Sequence, residues 1–409
     1  MTCFEKLRQQ ILIYSIRRLN LSTVKKILVI GAGIAGPTVC YWLQKFGFSP
    51  TLIEKSKCIR KGGQGLDIRG AAIDLVKKMG IYEQICDMRT HVKYGYIVDV
   101  SGKILHQEQG EKFAFRQGED VEILRGNLIE ILMKTIETVP CYFNQSIHRI
   151  EQNDDMVTVY FKDASIEYYD LIMGADGIHS STRQMVFDKD EYKLVNLGEI
   201  YFSIFTIPNY LHLNHTEMLC EADQKLISIT NDQDPKTAQV CLNFRLQQVL
   251  NKFHNQKEQI QFLKDIFYDF GWEVPKVLEL MSESSDFYFD SITQVKMNSW
   301  TKGRAALIGD AGYSPSPVSG QGNNLAMVGA YVLAGELKAA KGDYKQAFKC
   351  YNDLLRPFIE ANQQLGAFAS ESFLAPNTVI SKAIVEERSH KLWQMVQNMS
   401  NAFTLPEYT

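Results

Sequence analysis

The clearest pattern in the chain begins at Lys25. KKILVI ends in a continuous apolar run, GAGIAG is a glycine-rich turn, and PTVCYWLQKF has apolar residues at helical spacing until Gly47. SPTLIEK then reads as a second short strand around Leu52 and Ile53. A brief apolar run bounded by glycines predicts a buried strand. Strand, turn, helix and strand within about 30 residues predict a parallel βαβ unit. Helical periodicity follows in AAIDLVKKMGIYEQI and GNLIEILMKTIE, alternation in VTVYF, and another buried run in YDLIMGADG.

The texture changes between about residues 186 and 300. IYFSIFTIP, EMLCEA, KLISIT, QVCLNFR and DFYFDSITQVKM are rich in aromatic and β-branched residues, separated by Asn, Asp and Pro. One helical pattern, QKEQIQFLKDIFYDF, interrupts them. These runs predict an antiparallel sheet inserted into the first unit. After Trp300 the strand–turn texture returns in KGRAALIGDAG. Helices are predicted from Leu325 to about Ala340, Tyr344 to about Phe373 and Asn377 to about Ser400. The last has an amphipathic spacing at Ile380, Ile384, Leu392, Met395 and Met399. The predicted division is an extension at 1–24, a first domain at 25–185 and 291–340, an inserted sheet domain at 186–290, and C-terminal helices at 341–409. The helix at 377–400 is expected to pack its apolar face on the first domain.

The first 24 residues place Phe4, Leu7, Ile11, Tyr14 and Leu21 between Arg8, Arg17 and Arg18. That pattern fits a basic amphipathic anchor or an extension outside the fold, and we favour the extension. It lacks the continuous apolar stretch of a secretory signal.

Composition narrows the classes. The 409 residues are 45% apolar, enough for a sizeable core. A net charge of −3 points away from nucleic acid and from stable membrane association. Eight scattered cysteines without a CxxC pair read as reduced thiols of a cytoplasmic protein. His212 and His215 have no third ligand nearby, so no metal site is expected.

Three strand ends carry the chemistry. Gly31, Gly33 and Gly36 form GxGxxG at a strand exit. The glycines allow a tight turn, close approach to a pyrophosphate and helix–strand packing, and the helix N-terminus offers free N–H groups. Glu54 closes the second strand, where a carboxylate accepts from both ribose hydroxyls and disfavours a 2′-phosphate. The expected nucleotide is the ADP half of FAD or NAD. The second strand end is GADGIHSSTR, Gly174 to Arg183, with Asp176 as a possible helix cap. The third is GDAGYSPSPVSGQGNN, Gly309 to Asn324, with four glycines, two prolines and a single charge. It carries too little charge for a solvated loop and too many breakers for a core segment.

In this order, GxGxxG, DGxxSxxR and GDAxxxxPxxGxG resemble the aromatic-hydroxylase group of FAD-dependent monooxygenases, from Lys25 to about Gln364. EKSKCIRKGGQGLDIRG, DVEILRGNLIEILMK and SPSPVSGQGNNLA are similar to segments of the tetracycline destructases within that group. The resemblance implies an α/β fold, a Rossmann-like FAD-binding domain with an inserted antiparallel-sheet substrate domain and extra C-terminal helices. It implies a place near the substrate entrance for the helix at 377–400, where it could form a gate. It implies FAD contacts at Gly31, Gly33, Ala35, Gly36, Glu54, Lys55, Gln64, Asp67, Arg125, Asp176, Asp310, Pro317, Gly320, Gln321, Gly322 and Asn323. Arg60 matches a position implicated in NADPH contact, and Ser203, Phe205 and Lys225 fall where substrate contacts are expected. Many relatives have GDAAH where this chain has Gly312 and Tyr313, so a role borrowed for that histidine lapses.

The implied reaction is flavin reduction by NADPH or NADH, O2 addition at the flavin C4a carbon, and oxygen transfer from the hydroperoxide to an enol or phenol carbon. The implied substrate is a polycyclic aromatic or enol molecule of the tetracycline type, handled by a monomer. Two alternatives stay open: a hydroxylase of a small phenolic metabolite, and a flavoprotein that does not hydroxylate, such as a reductase or electron-transfer module. The aromatics Tyr201, Phe202, Phe205, Phe244 and Phe287 predict either a broad apolar cavity or a sheet core. The sequence offers no convincing protein general base.

Overall fold

The computed structural model describes residues 25–59, 63–109, 118–232, 234–247, 253, 255–374 and 382–408. The extension at 1–24 and Arg60 lie outside the described residues.

A six-stranded sheet runs in the order Thr301–Lys302, Ala305–Leu307, Leu171–Gly174, Lys26–Ile30, Ser49–Ile53, Cys141–Tyr142. Its pairs are parallel apart from Thr301–Lys302, which lies antiparallel on Ala305–Leu307. The continuous apolar run at its centre has a simple cause. Ile27 and Val29 face one core with the helices Ala35–Lys45 and Gly322–Ala339. Leu28 and Ile30 face the other, against the three-stranded sheet of Ile147–Gln152, Val157–Phe161 and Ile166–Tyr169. A strand buried on both faces has no polar side to show.

The second sheet has seven strands in the order Tyr288–Met297, Tyr192–Pro208, Thr237–Arg245, Lys225–Asn231, Thr216–Ala222, Tyr94–Val98, Ile104–Gln109. It is antiparallel except where Thr216–Ala222 runs parallel to Tyr94–Val98. This corrects the boundary read from sequence. The hairpin Tyr94–Gln109 lies inside the expected first domain at 25–185, yet it completes the edge of the second sheet. One face of this sheet is covered by the helices Gln256–Phe267 and Val274–Met281, with Phe205, Phe244, Leu263, Phe267 and Met281 in the shared core. The second of these helices has a proline in its first turn and was not anticipated.

The C-terminal part is bound closely to the first domain. The helix Tyr344–Ser372 packs on Gly322–Ala339. The helix Lys382–Ser400 follows, and the chain after it folds back over the first domain. There Phe403 stacks on Phe358 with ring centres 5.0 Å apart, and the Tyr408 hydroxyl donates to Glu336 at 2.7 Å. A Cβ on Gly335 would lie 2.0 Å from the Tyr408 ring, so the ring fits only over a glycine.

Candidate active site

Two of the three glycines in the first motif are required by backbone contacts. Gly31 has φ +107°, its N–H donates to Ile53 at 2.8 Å, and a Cβ would lie 2.5 Å from the Ala175 carbonyl oxygen. A Cβ on Gly36 would lie 1.9 Å from the Gly31 carbonyl oxygen. Gly33 differs: its nearest neighbour is the Arg125 guanidinium at 3.8 Å, so its Cα opens onto a cavity. The Glu54 carboxylate is held beside this turn by the N–H groups of Ala32 and Ser56, both at 2.8 Å. Lys55 next to it is exposed.

The cavity has a volume of about 410 Å³. Gly33, Ala35, Gln64, Asp67, Arg125, Asp310, Pro317, Gly320, Gly322 and Asn323 line it. The fold thus gathers ten of the residues expected at the cofactor from four separate chain segments. Arg125 opens the helix Arg125–Lys134, and its N–H donates to the Gln64 carbonyl at 3.0 Å. Asn323 donates to the Asp67 carbonyl at 2.8 Å. Gln321 stands behind the wall, buried, donating to Ser400 Oγ at 3.1 Å and accepting from Asn324 at 2.8 Å.

The loop Gly309–Asn324 is fixed from behind. Gln294 donates to the carbonyls of Pro315 at 3.0 Å and Gln363 at 2.6 Å. A Cβ on Gly366 would lie 2.2 Å from the Pro315 carbonyl oxygen, so the long helix meets the loop backbone directly. Ser316 holds φ +81° without being glycine, a conformation that costs on the order of 1–3 kcal/mol. It is buried and lines the cavity, and its hydroxyl oxygen has no hydrogen-bond partner among the described residues. Tyr313, at the position of the missing histidine, is a core residue whose hydroxyl meets that of Tyr351 at 3.0 Å.

Asp310 stands deep among protein atoms with one side open to the cavity. Burial pushes its carboxyl above the usual carboxylate range, while Ser314 and the Arg125 charge pull the other way. A group donating hydrogen bonds inside the cavity would relieve that cost, as a polyol chain does. The helix Gly322–Ala339 starts at the wall and turns its free N–H end toward the same space. The glycine turn, the positioned Glu54 and the Asp310 carboxylate open to the cavity fit a dinucleotide bearing a sugar-alcohol chain.

Residues 25–361 match the family described as FAD binding domain. A flavin-dependent monooxygenase of Legionella longbeachae is 63% identical over 383 residues, covering 94% of this chain and 98% of the relative. The chain belongs to the FAD-dependent monooxygenases. It is similar to the solved tetracycline destructase Tet(51), at 58% identity and a TM-score of 0.89, over 94% of this chain and 100% of the other. Tet(55), also a tetracycline destructase, is 51% identical with a TM-score of 0.86, over 94% of this chain and 99% of the other. CtdE, solved with FAD, shares the fold at 15% identity and a TM-score of 0.69, over 93% of this chain and 100% of the other. Among the described residues no helix is long and apolar enough to cross a membrane.

Four expected site residues of this monooxygenase lie elsewhere. Asp176 turns its carboxylate into the chain: it accepts from the hydroxyls of Ser180 and Ser181 and from the N–H and hydroxyl of Thr182. It anchors the start of the helix Ser181–Val186, while its neighbours Ala175 and Gly177 line the cavity. Ser203, Phe205 and Lys225 fail by strand parity. Phe202 and Ile204 line the cavity, so Ser203 and Phe205 point to the helix-covered face, where both are fully buried. Lys225 shares its face with Ile227 and Ile229 and pairs with Asp269 at 3.2 Å. Of the five aromatics named above, Phe202 lines the cavity, whereas Tyr201, Phe205, Phe244 and Phe287 pack in or against the core beneath the helices.

Sequence reasoning also missed a polar group on the sheet side of the cavity. Tyr288 and Asp290 line it, and Asp290 is bonded to His179 of the GADGIHSSTR motif at 2.9 Å. The histidine lies in GADGIHSSTR, but its partner is 111 residues away.

A second cavity of about 930 Å³ adjoins the first, sharing Gly63, Gln64, Gly65, Ile204 and Asp286. Its wall is of mixed polarity, and its charged groups are mostly acidic. Glu122, Glu217, Asp232, Asp234, Glu283 and Asp286 outnumber Lys93 and Lys236. Hydrogen bonds from Thr206 and Ser284 keep the Asp286 carboxyl below its usual range against the opposing effect of burial.

Proposed function

We propose that this enzyme uses NAD(P)H and O2 to oxidise, and so inactivate, tetracycline-type antibiotics. The likeness to two tetracycline destructases over 94% of the chain carries this reading. The second cavity agrees with it. A wide space of mixed polarity whose charged groups are mostly carboxylates suits an oxygen-rich polycycle bearing an ammonium group better than a small apolar phenol.

When bound, FAD supplies the electron transfer and the activation of O2. The chain's own residues do the rest. Glu54 receives the ribose hydroxyls, with Ala32 and Ser56 holding its oxygens in place. Gly33 and Ala35 form the surface for the pyrophosphate, and Arg125 beside them offsets its charge. Asp310 accepts from the sugar-alcohol chain. Pro317, Gly320 and Gly322 form the wall for a flat ring, and the N–H end of the helix Gly322–Ala339 favours negative charge there. Ile204 and Gln64, shared by both cavities, place a substrate in the larger space against that ring. Lys55 is a further proposed contact at the nucleotide end.

The test is direct. Purified protein should be yellow and should oxidise NADPH on addition of tetracycline. The drug's long-wavelength absorbance should fall in a manner that needs both NADPH and O2. NADPH consumption that yields peroxide with the drug unchanged would overturn the reading.

A further inference from the structure

Asp290 is 8% exposed and accepts three hydrogen bonds on the cavity wall. Its Oδ2 accepts from the Tyr288 hydroxyl and bonds His179 Nε2 at 2.9 Å, and its Oδ1 accepts from the Ser291 N–H at 2.8 Å. Tyr288 stands on the cavity. The His179 side chain, by contrast, is 67% exposed. One carboxylate oxygen therefore joins a hydroxyl facing the reaction space to an imidazole facing water.

A monooxygenation driven by NAD(P)H consumes a proton. Substrate–H, O2, NAD(P)H and one H⁺ give substrate–OH, NAD(P)⁺ and H2O. Two electrons come from the nicotinamide and two from the C–H bond, and O2 takes all four. One oxygen enters the product and the other leaves as water. That proton must reach the reacting atoms, and a chain of hydrogen-bonded groups running to the surface can deliver it.

We propose that His179, Asp290 and Tyr288 form that route, carrying one proton per turnover from solvent to the cavity. In the inward step His179 gives its Nε2 proton to Asp290 Oδ2. Tyr288 gives its hydroxyl proton to the acceptor in the cavity and takes the proton from Asp290. His179 is then reprotonated from water, and no charge is stranded. The proposal rests on NAD(P)H as reductant but not on the identity of the substrate.

The surrounding charges suit the task. The hydrogen bond to Asp290 raises the His179 pKa above its usual value, against burial and the nearby charges of Lys55 and Arg183. Burial opposes ionisation of Asp290, yet its bonds from His179 and Tyr288 keep it below the usual carboxylate range. Burial, with Asp290 and Asp310 near, raises Tyr288 far above a normal phenol, while Arg125 acts the other way. Tyr288 therefore passes protons without resting as an anion.

The test uses the full chain loaded with FAD. His179→Ala removes an exposed side chain, so fold and FAD content should be kept. With the flavin reduced by dithionite and then mixed with O2 and substrate, oxygen transfer should slow by about 10²-fold. Its solvent isotope effect should rise, and added imidazole should restore the rate. Tyr288→Phe should slow the step similarly without imidazole rescue. Independently, the imidazole resonance of His179 should titrate at lower pH in Asp290→Asn. A wild-type oxidative rate and pH profile in His179→Ala would overturn the proposal, as would an unmoved His179 titration in Asp290→Asn. Because the flavin is reduced chemically, failure to use NADPH would count against the proposed reductant and leave this test valid.

Discussion

Gln321 and Ser400 meet behind the cofactor cavity, the glutamine amide donating to the serine hydroxyl at 3.1 Å. Gln321 precedes the helix Gly322–Ala339, and Ser400 ends the helix Lys382–Ser400. The last helix is therefore part of the support for the cofactor loop. Gly70 shows how close the docking is: it has φ +50°, and a Cβ there would lie 1.7 Å from the Ser400 carbonyl oxygen. Gly70→Ala should destabilise the protein by about 2–4 kcal/mol and lower FAD retention, read by thermal melting and flavin absorbance. Unchanged melting would show that this contact does not hold the helix.

The tail beyond Ser400 should matter for the same reason. Tyr408→Ala removes a ring packed on Gly335, Tyr331 and Phe46, together with the bond to Glu336. A loss of about 2–4 kcal/mol in urea unfolding is expected. Truncation after Phe373 removes both contacts, so it tests stability and gating at once. It cannot isolate a substrate gate.

Arg245 joins the sheet domain to the end of the long helix. Its guanidinium donates to the carbonyls of Gly198, Ser370, Phe373 and Leu374. Arg245→Ala leaves these acceptors without their donor and should cost about 2–5 kcal/mol in chemical denaturation. Arg245→Lys should recover part of the loss, since an ammonium cannot span the same fork.

Glu54→Gln keeps the shape and removes the charge proposed to receive the ribose hydroxyls. FAD affinity should fall by roughly ten- to a hundredfold, measured by quenching of flavin fluorescence.

Asp310 supplies a pH prediction. Its folded pKa lies above the unfolded carboxyl value because burial disfavours the charge. Its contribution to stability is therefore full below the unfolded pKa, about 4, and is lost as pH rises through the raised folded value. FAD-free wild-type protein should lose melting temperature across that window more steeply than Asp310→Asn. The same variant should bind FAD more weakly. Parallel melting curves for the two proteins would contradict this.

Strand parity makes the last prediction. Lys225→Ala should change the KM for substrate by less than about twofold, because its side chain points away from both cavities. Ile204→Trp, between the two cavities, should raise KM at least tenfold with FAD retained. The reverse result would restore the face expected from sequence.

The sequence by itself determined the parts whose causes are local. The βαβ unit was legible because a strand buried on both faces must be apolar throughout, and because Gly31 and Gly36 stand where a Cβ has no room. The loop Gly309–Asn324 was legible because its breakers and single charge suit neither water nor a core. Tertiary structure alone decided which face each strand of the second sheet turns to the cavity. A period of two fixes alternation but not its sense, and Ser203, Phe205 and Lys225 fell on the wrong side for that reason. It also recruited the hairpin Tyr94–Gln109 to the second sheet and brought Asp290 to His179 across 111 residues. Such pairings depend on which surfaces meet when the layers close, and no local pattern records that.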